Sequence, residues 1–117
     1  MTMLTPRLHG ILDYVTVALF AVAPAVLGLD GLPATIAYGL AAVHLILTLV
    51  TAFPLGAAKL VPFAIHGGIE LVVALALVVL PWLAGFTGIA RTFYVAMGAV
   101  IFVVWLLTRY RNDVSTT

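Results

Sequence analysis

Residues 66–86 read HGGIELVVALALVVLPWLAGF, and this stretch decides the fold. Apart from His66 and Glu70, it contains no residue that carries a charge near neutral pH. A membrane-spanning helix needs about 20 mostly apolar residues to cross a hydrocarbon core of about 30 Å. The apolar residues are not confined to one helical face and do not alternate with polar ones, which favours a lipid-embedded helix over a half-exposed strand. The stretch therefore predicts a membrane span.

The whole chain has the composition of a membrane protein. Of its 117 residues, 65% are hydrophobic and only 8% are charged, whereas a soluble domain carries about 25% charged residues. Four apolar runs are long enough to span a bilayer: residues 6–29, 33–53, 62–86 and 88–110. Because little remains outside these runs, the sequence predicts one transmembrane domain over residues 1–117, an all-α integral membrane four-helix bundle.

The first run repeats the pattern of the third at an offset of 57 residues. The pairs that match at this offset are His9 and His66, Gly10 and Gly67, Asp13 and Glu70, Pro24 and Pro81, Gly28 and Gly85, Gly31 and Gly88, Thr35 and Thr92, Val43 and Val100, and Thr51 and Thr108. This pattern predicts two tandem helical-hairpin repeats, about residues 5–54 and 62–111. Since each repeat contains two spans, both enter the membrane from the same side, and a pseudo-two-fold axis along the membrane normal should relate them.

The charged residues near the ends of the runs predict the orientation. On one side of the membrane lie Arg7, Lys59, Arg109 and Arg111, and on the other lie Asp30 and Arg91. Positively charged residues concentrate on the cytoplasmic side. Both termini are therefore predicted to be cytoplasmic.

A family resemblance rests on the end of the third run. Leu80-Pro81-Trp82 lies there, and the first repeat carries Ala23-Pro24-Ala25 at the same place. The stretch 66–86 resembles the SPW-repeat family of small bacterial membrane proteins, which are built from helical hairpins with a Ser-Pro-Trp signature. Here the serine is absent, and the first repeat keeps only the proline. The resemblance implies a bacterial inner-membrane protein without a well-defined biochemical activity, and it implies no catalytic residues.

The acids of the apolar runs each follow a histidine by four residues. Asp13 therefore shares a helix face with His9, and Glu70 shares one with His66. An ionised carboxylate inside a membrane costs at least about 2.5 kcal/mol, so both acids need partners. If the first and third helices meet at the axis, His9 can pair with Glu70 and His66 with Asp13. The glycines that follow each histidine are expected to let the two helices come close.

The second run carries a stripe of small and polar residues at helical spacing: Ala34, Ala37, Ala41, His44, Thr48 and Thr51. Such a stripe allows close approach and hydrogen bonding between membrane helices, so it is expected to face the bundle. Thr48 is predicted near the depth of the carboxylates and His44 deeper. His44 has no mate in the second repeat, because Ile101 occupies the matching position.

Three interpretations of these polar residues are open. In the first, the two histidine–acid pairs lock the bundle. In the second, His9, His66, Asp13 and Glu70 bind zinc, manganese or iron, or the two histidines hold a haem between the first and third helices. In the third, the same groups form a proton or ion relay that His44, Thr48 and Thr51 continue.

Several function classes are excluded by what the sequence lacks. There is no cysteine, so thiolate ligands and disulfides are impossible. The net charge of +1 predicts no nucleic-acid partner. No nucleophile constellation or phosphate-binding loop is found, so an enzyme is not expected. The expected partners are the lipid bilayer and a second copy of the chain, because so small a bundle has a large lateral surface.

Overall fold

The computed structural model describes residues 3–108 and contains four long helices. They are α1 (Pro6–Leu27), α2 (Gly31–Leu49), α3 (Phe63–Ala84) and α4 (Gly88–Leu107), and two short strands, β1 (Thr51–Ala52) and β2 (Val61–Pro62), lie between α2 and α3. All four helices are long and apolar enough to cross a membrane. The prediction of an all-α four-helix membrane bundle is confirmed.

The helix boundaries follow local chemistry. α1 begins at Pro6, where a missing N–H is no loss, and the Thr5 hydroxyl accepts a hydrogen bond from the Leu8 N–H at 3.2 Å. α2 ends at Leu49 rather than near residue 53, because the next residues leave the helix to form β1. The segment 109–117, including Arg109, Arg111 and the predicted end of the fourth span, lies outside the described residues.

The helices form two antiparallel hairpins, α1 with α2 and α3 with α4. Each hairpin turns through two glycines in the left-handed region, where a side chain would be strained. Their φ angles are 69° at Gly28, 56° at Gly31, 76° at Gly85 and 59° at Gly88. We call this end of the bundle the turn end; it also carries Asp30 and Arg91. The opposite end, with residue 4, residues 50–62 and residue 108, is called the loop end, and it carries Arg7 and Lys59.

Short parallel pairings tie the two hairpins together at the loop end. β1 pairs with β2, with Thr51 opposite Val61. Leu4 forms the same kind of parallel bridge with Thr108. Leu4 and Val61 lie 57 positions apart, as do Thr51 and Thr108. The two bridges therefore join the start of one hairpin to the end of the other in equivalent ways.

Aromatic side chains join the hairpins in the turn half of the bundle. Phe20 of α1 meets Phe93 of α4 edge to face, with ring centroids 5.7 Å apart. The fully buried Tyr94 donates a hydrogen bond to the Pro33 carbonyl at 2.6 Å. Within the second hairpin, a Cβ at Gly98 would lie 2.7 Å from the Ala74 carbonyl oxygen, so glycine there lets α4 approach the α3 backbone. The outer surface is apolar, as expected where lipid is the solvent.

Candidate functional site

The candidate site lies between α1 and α3, close to the loop end. His9 and His66 are each three residues after the first residue of their helix, which places them about 4.5 Å along it, with the acids about 6 Å further. Both histidines are 0% exposed, and Asp13 and Glu70 are 2% and 3% exposed. The structure therefore brings the four predicted residues into one buried group, although 57 residues separate the two halves.

The two histidines reach across the bundle to the acid of the other hairpin. His9 Nε2 lies 2.5 Å from Glu70 Oε1, and His66 Nε2 lies 2.9 Å from Asp13 Oδ2. Each histidine also approaches the acid on its own helix, and both of those distances are 3.1 Å. The cross-pairing predicted from the sequence is confirmed, but each imidazole lies between two carboxylates rather than facing one.

Two threonines hold the other nitrogen of each imidazole. His9 Nδ1 lies 2.8 Å from Thr108 Oγ1, and His66 Nδ1 lies 2.7 Å from Thr51 Oγ1. Each threonine belongs to the opposite hairpin and stands where that hairpin ends. Sequence analysis had matched these two threonines by their offset but had not predicted that they bind the histidines.

The threonine hydroxyls fix the protonation of Nδ1. Thr108 Oγ1 lies 2.5 Å from the Val104 carbonyl, and Thr51 Oγ1 lies 2.6 Å from the Leu47 carbonyl. Two oxygens this close need a hydrogen between them, so each hydroxyl donates its single proton to a carbonyl. The hydroxyl must then accept from the imidazole. Both histidines therefore carry a proton on Nδ1 and direct Nε2 at the carboxylates.

His44 of α2 completes the group, which we call the histidine–carboxylate cluster (His9, Asp13, His44, His66 and Glu70). Its Nε2 lies 3.5 Å from Asp13 Oδ1 and 3.6 Å from Glu70 Oε2. Thr48 is fully buried, and its hydroxyl donates to the His44 carbonyl at 2.8 Å. Thr48 therefore supports α2 next to the cluster through that backbone bond.

Three buried atoms of the cluster lack a hydrogen bond within the described part of the chain: Asp13 Oδ2, His44 Nε2 and His66 Nε2. The first and third lie only 2.9 Å apart, so their alignment and not their distance prevents a hydrogen bond. Buried polar atoms are nearly always satisfied, because an unsatisfied one costs about 1–3 kcal/mol. The cluster thus has unused donor atoms that point to a shared centre.

Aromatic rings close the cluster on the side of the loop end. Phe53 and Phe63 stack with centroids 5.4 Å apart and planes 8° from parallel. The edge of one ring meets His9 across 5.3 Å between the centroids of Phe63 and His9. Phe53 lies 6.0 Å from the His66 ring. Since both phenylalanines are buried, they keep water from this side of the cluster.

The loop of residues 53–60 holds Phe53 in place. Lys59 Nζ donates to the carbonyls of Phe53 and Gly56, at 2.5 and 3.1 Å. A Cβ at Gly10 would overlap the Phe53 ring, whereas one at Gly68 would meet nothing within 4 Å. The prediction that these glycines bring α1 and α3 together is therefore wrong for Gly10 and Gly68. Gly10 instead makes room for the loop.

The spacing of the cluster suits a metal ion. Candidate ligand atoms of His9, Asp13, His66 and Glu70 all lie within 4.8 Å of one another. Around an ion with bonds of about 2.1 Å, neighbouring ligand atoms stand about 3 Å apart. Three of the four close nitrogen–oxygen distances lie between 2.9 and 3.1 Å. The fourth, between His9 and Glu70, would widen by about 0.5 Å.

Comparisons with protein-family models, with curated proteins and with solved structures give no match to this chain. The resemblance to the SPW-repeat family stays a prediction. The functional argument accordingly rests on the geometry of the cluster.

Proposed function

We propose that this small integral membrane protein binds a divalent transition-metal ion with His9, Asp13, His66 and Glu70. The observation that carries the proposal is the pair of threonine-held imidazoles. Metal-binding histidines characteristically donate the second ring N–H to an oxygen, which fixes the tautomer and aims the free nitrogen at the ion. Thr108 and Thr51 accept the Nδ1 protons of His9 and His66 in this way. Imidazole together with carboxylate suits zinc, iron and manganese.

Charge balance supports a divalent ion. Two ionised carboxylates within a few ångströms of each other in an apolar bundle repel and are poorly solvated. The neutral Nε2 atoms of His9 and His66 present lone pairs to these oxygens and cannot relieve that repulsion. A cation of charge +2 neutralises both acids and uses both lone pairs at once.

A purely structural lock would need the two histidines to be protonated on both nitrogens. Each imidazolium would then donate to a carboxylate of the other hairpin. Asp13 Oδ2 and His66 Nε2 have the distance for such a bond but lack its alignment. Atoms that converge on a point without forming aligned pairs favour a shared ion. A bound ion still joins the hairpins, so the locking role follows from the metal.

The geometry favours a single ion over a haem or a relay. The carboxylates of Asp13 and Glu70 occupy the space between the two imidazoles, where a porphyrin would have to lie. On the turn side of the cluster, the described core consists of side chains such as Phe20, Leu77 and Met97. A relay across the bilayer would need polar groups there.

The remaining proposals concern the protein as a whole. The equivalent bridges, glycine turns and threonine–histidine bonds at an offset of 57 residues support a duplicated hairpin with a pseudo-two-fold axis. Arg7 and Lys59, both exposed at the loop end, support cytoplasmic termini by the positive-inside rule. The composition and the family resemblance support a bacterial inner membrane. The wide apolar surface supports a homo-oligomer.

Metal titration tests the proposed function. The protein, purified in lipid nanodiscs and stripped with a chelator, is expected to take up one Zn²⁺ or Mn²⁺ per chain, as measured by elemental analysis after desalting. Asp13→Asn removes a ligand and half of the balancing charge, and it should reduce uptake to background. Asp30→Asn, a matched change at the exposed turn end, should leave uptake unchanged. No uptake by the unmodified chain, or equal uptake by both variants, would contradict the proposal.

A further inference from the structure

His44 breaks the equivalence of the two hairpins at the cluster. Every other residue of the cluster has a titratable counterpart 57 positions away, whereas Ile101 of α4 stands opposite His44. A histidine at one of two equivalent places on apolar membrane helices needs a local reason. The ring is also well buried, with 11% of its side chain exposed.

The position of the His44 ring supplies that reason. Its Nε2 stands 3.5 Å from Asp13 Oδ1 and 3.6 Å from Glu70 Oε2, and it forms no hydrogen bond with a described residue. Glu70 Oε1, by contrast, faces His9 and His66, at 2.5 and 3.1 Å. His44 therefore approaches the carboxylates from a direction that the other two histidines leave open.

We infer that His44 is a fifth protein ligand, which gives the site three imidazole nitrogens and two carboxylate groups and directs it to metals that take five or six ligands. This inference rests on the proposed metal centre. Structural zinc sites are almost always tetrahedral with four ligands. Manganese(II), iron(II) and cobalt(II) accept more donors, and mixed imidazole and carboxylate sets suit them. The site is thus assigned to a five- or six-coordinate first-row ion such as Fe²⁺ or Mn²⁺.

The three histidines have different roles in this arrangement. His9 and His66 are oriented by threonines and define the pair of ligands that the hairpins share. The Nε2 of His44 comes no closer than 3.5 Å to either carboxylate, so it must move toward the centre to bind. His44 accordingly sets the coordination number and the choice of metal, while the other four residues set whether a metal binds at all.

Cobalt(II) reports the coordination number directly, because four-coordinate tetrahedral Co²⁺ absorbs visible light several-fold more strongly than five- or six-coordinate Co²⁺. The probe is CoCl₂ added to the chelator-stripped full chain in nanodiscs. The unmodified protein is expected to bind Co²⁺ with weak visible bands. His44→Ile, which installs the residue found at the matching place in α4, is expected to bind Co²⁺ with bands several-fold stronger. The same variant should lose preference for Mn²⁺ over Zn²⁺ in competition.

The possible results separate the inference from the proposed function. Strong tetrahedral bands in the unmodified protein would overturn the role of His44 without any variant. Identical weak bands in the unmodified protein and in both His44→Ile and His44→Gln would overturn it too, and both results would leave the metal centre standing. No cobalt bound by the unmodified protein would overturn the metal centre and this inference together. Stronger bands in either variant support the fifth ligand.

Discussion

Stripping the metal from the protein is expected to lower its thermal unfolding temperature by more than any single substitution at the surface. A ligand that binds only the folded state stabilises it by about 4 kcal/mol when its free concentration is 1,000 times Kd. Both hairpins contribute ligands to the cluster, so the ion adds its binding free energy to the contact between them. Removal also leaves Asp13 and Glu70 close together without a balancing charge.

The double variant Asp13→Asn with Glu70→Gln sharpens this expectation. It has no site, so a chelator should not change its unfolding temperature. Its amides avoid the repulsion between two buried carboxylates, and losing one partner of a buried charged group costs about 3–5 kcal/mol. The variant should therefore unfold below the metal-loaded protein but above the stripped one. Thermal unfolding followed by circular dichroism in nanodiscs measures all three temperatures. A double variant that is less stable than the stripped protein would favour two ion pairs over a metal.

Removing the hydroxyl of Thr51 or Thr108 is expected to weaken metal binding about 10- to 100-fold, which is the usual effect of losing a group that orients a metal ligand. Valine keeps the shape of threonine but cannot accept the imidazole N–H. The freed ring of His66 or His9 can then rotate, and its Nδ1–H is left buried without a partner. Zinc affinity measured by competition with a chromophoric chelator gives the size of the effect.

Thr16→Val is the matched control for both threonine variants. Thr16 also donates its hydroxyl proton to a carbonyl one turn back, that of Leu12 at 2.8 Å, but none of its printed contacts involves a histidine. The control should therefore bind zinc as tightly as the unmodified protein. Equal affinities for all three valine variants would mean that the threonines do not orient the ligands.

The sequence predicted the helices well because their cause is local. An apolar run such as residues 66–86 must satisfy its own backbone in lipid, and a helix is the way to do so within one segment. The end of α2 was less predictable. Residues 51 and 52 are no less apolar than their neighbours, and what removes them from the helix is a pairing with Val61 and Pro62.

The candidate site was predictable in part for the same reason. The offset of 57 residues and the four-residue spacing of histidine and acid identified His9, Asp13, His66 and Glu70 without any coordinates. The partners of Nδ1 could not be found in this way, because Thr51 and Thr108 reach the histidines only after each chain segment crosses to the other hairpin. The role of Gly10 was mistaken because the loop that it accommodates has no repeating pattern.

The central claim is that one metal ion lies between the two hairpins, bound to imidazoles and carboxylates of both. X-ray absorption at the metal edge of the manganese- or zinc-loaded protein tests it most directly. The account predicts nitrogen and oxygen ligands at about 2.0–2.2 Å, with the outer-shell scattering of at least two imidazole rings, and loss of that scattering in the His9→Ala and His66→Ala variants. A spectrum with oxygen ligands alone and no imidazole scattering would contradict it.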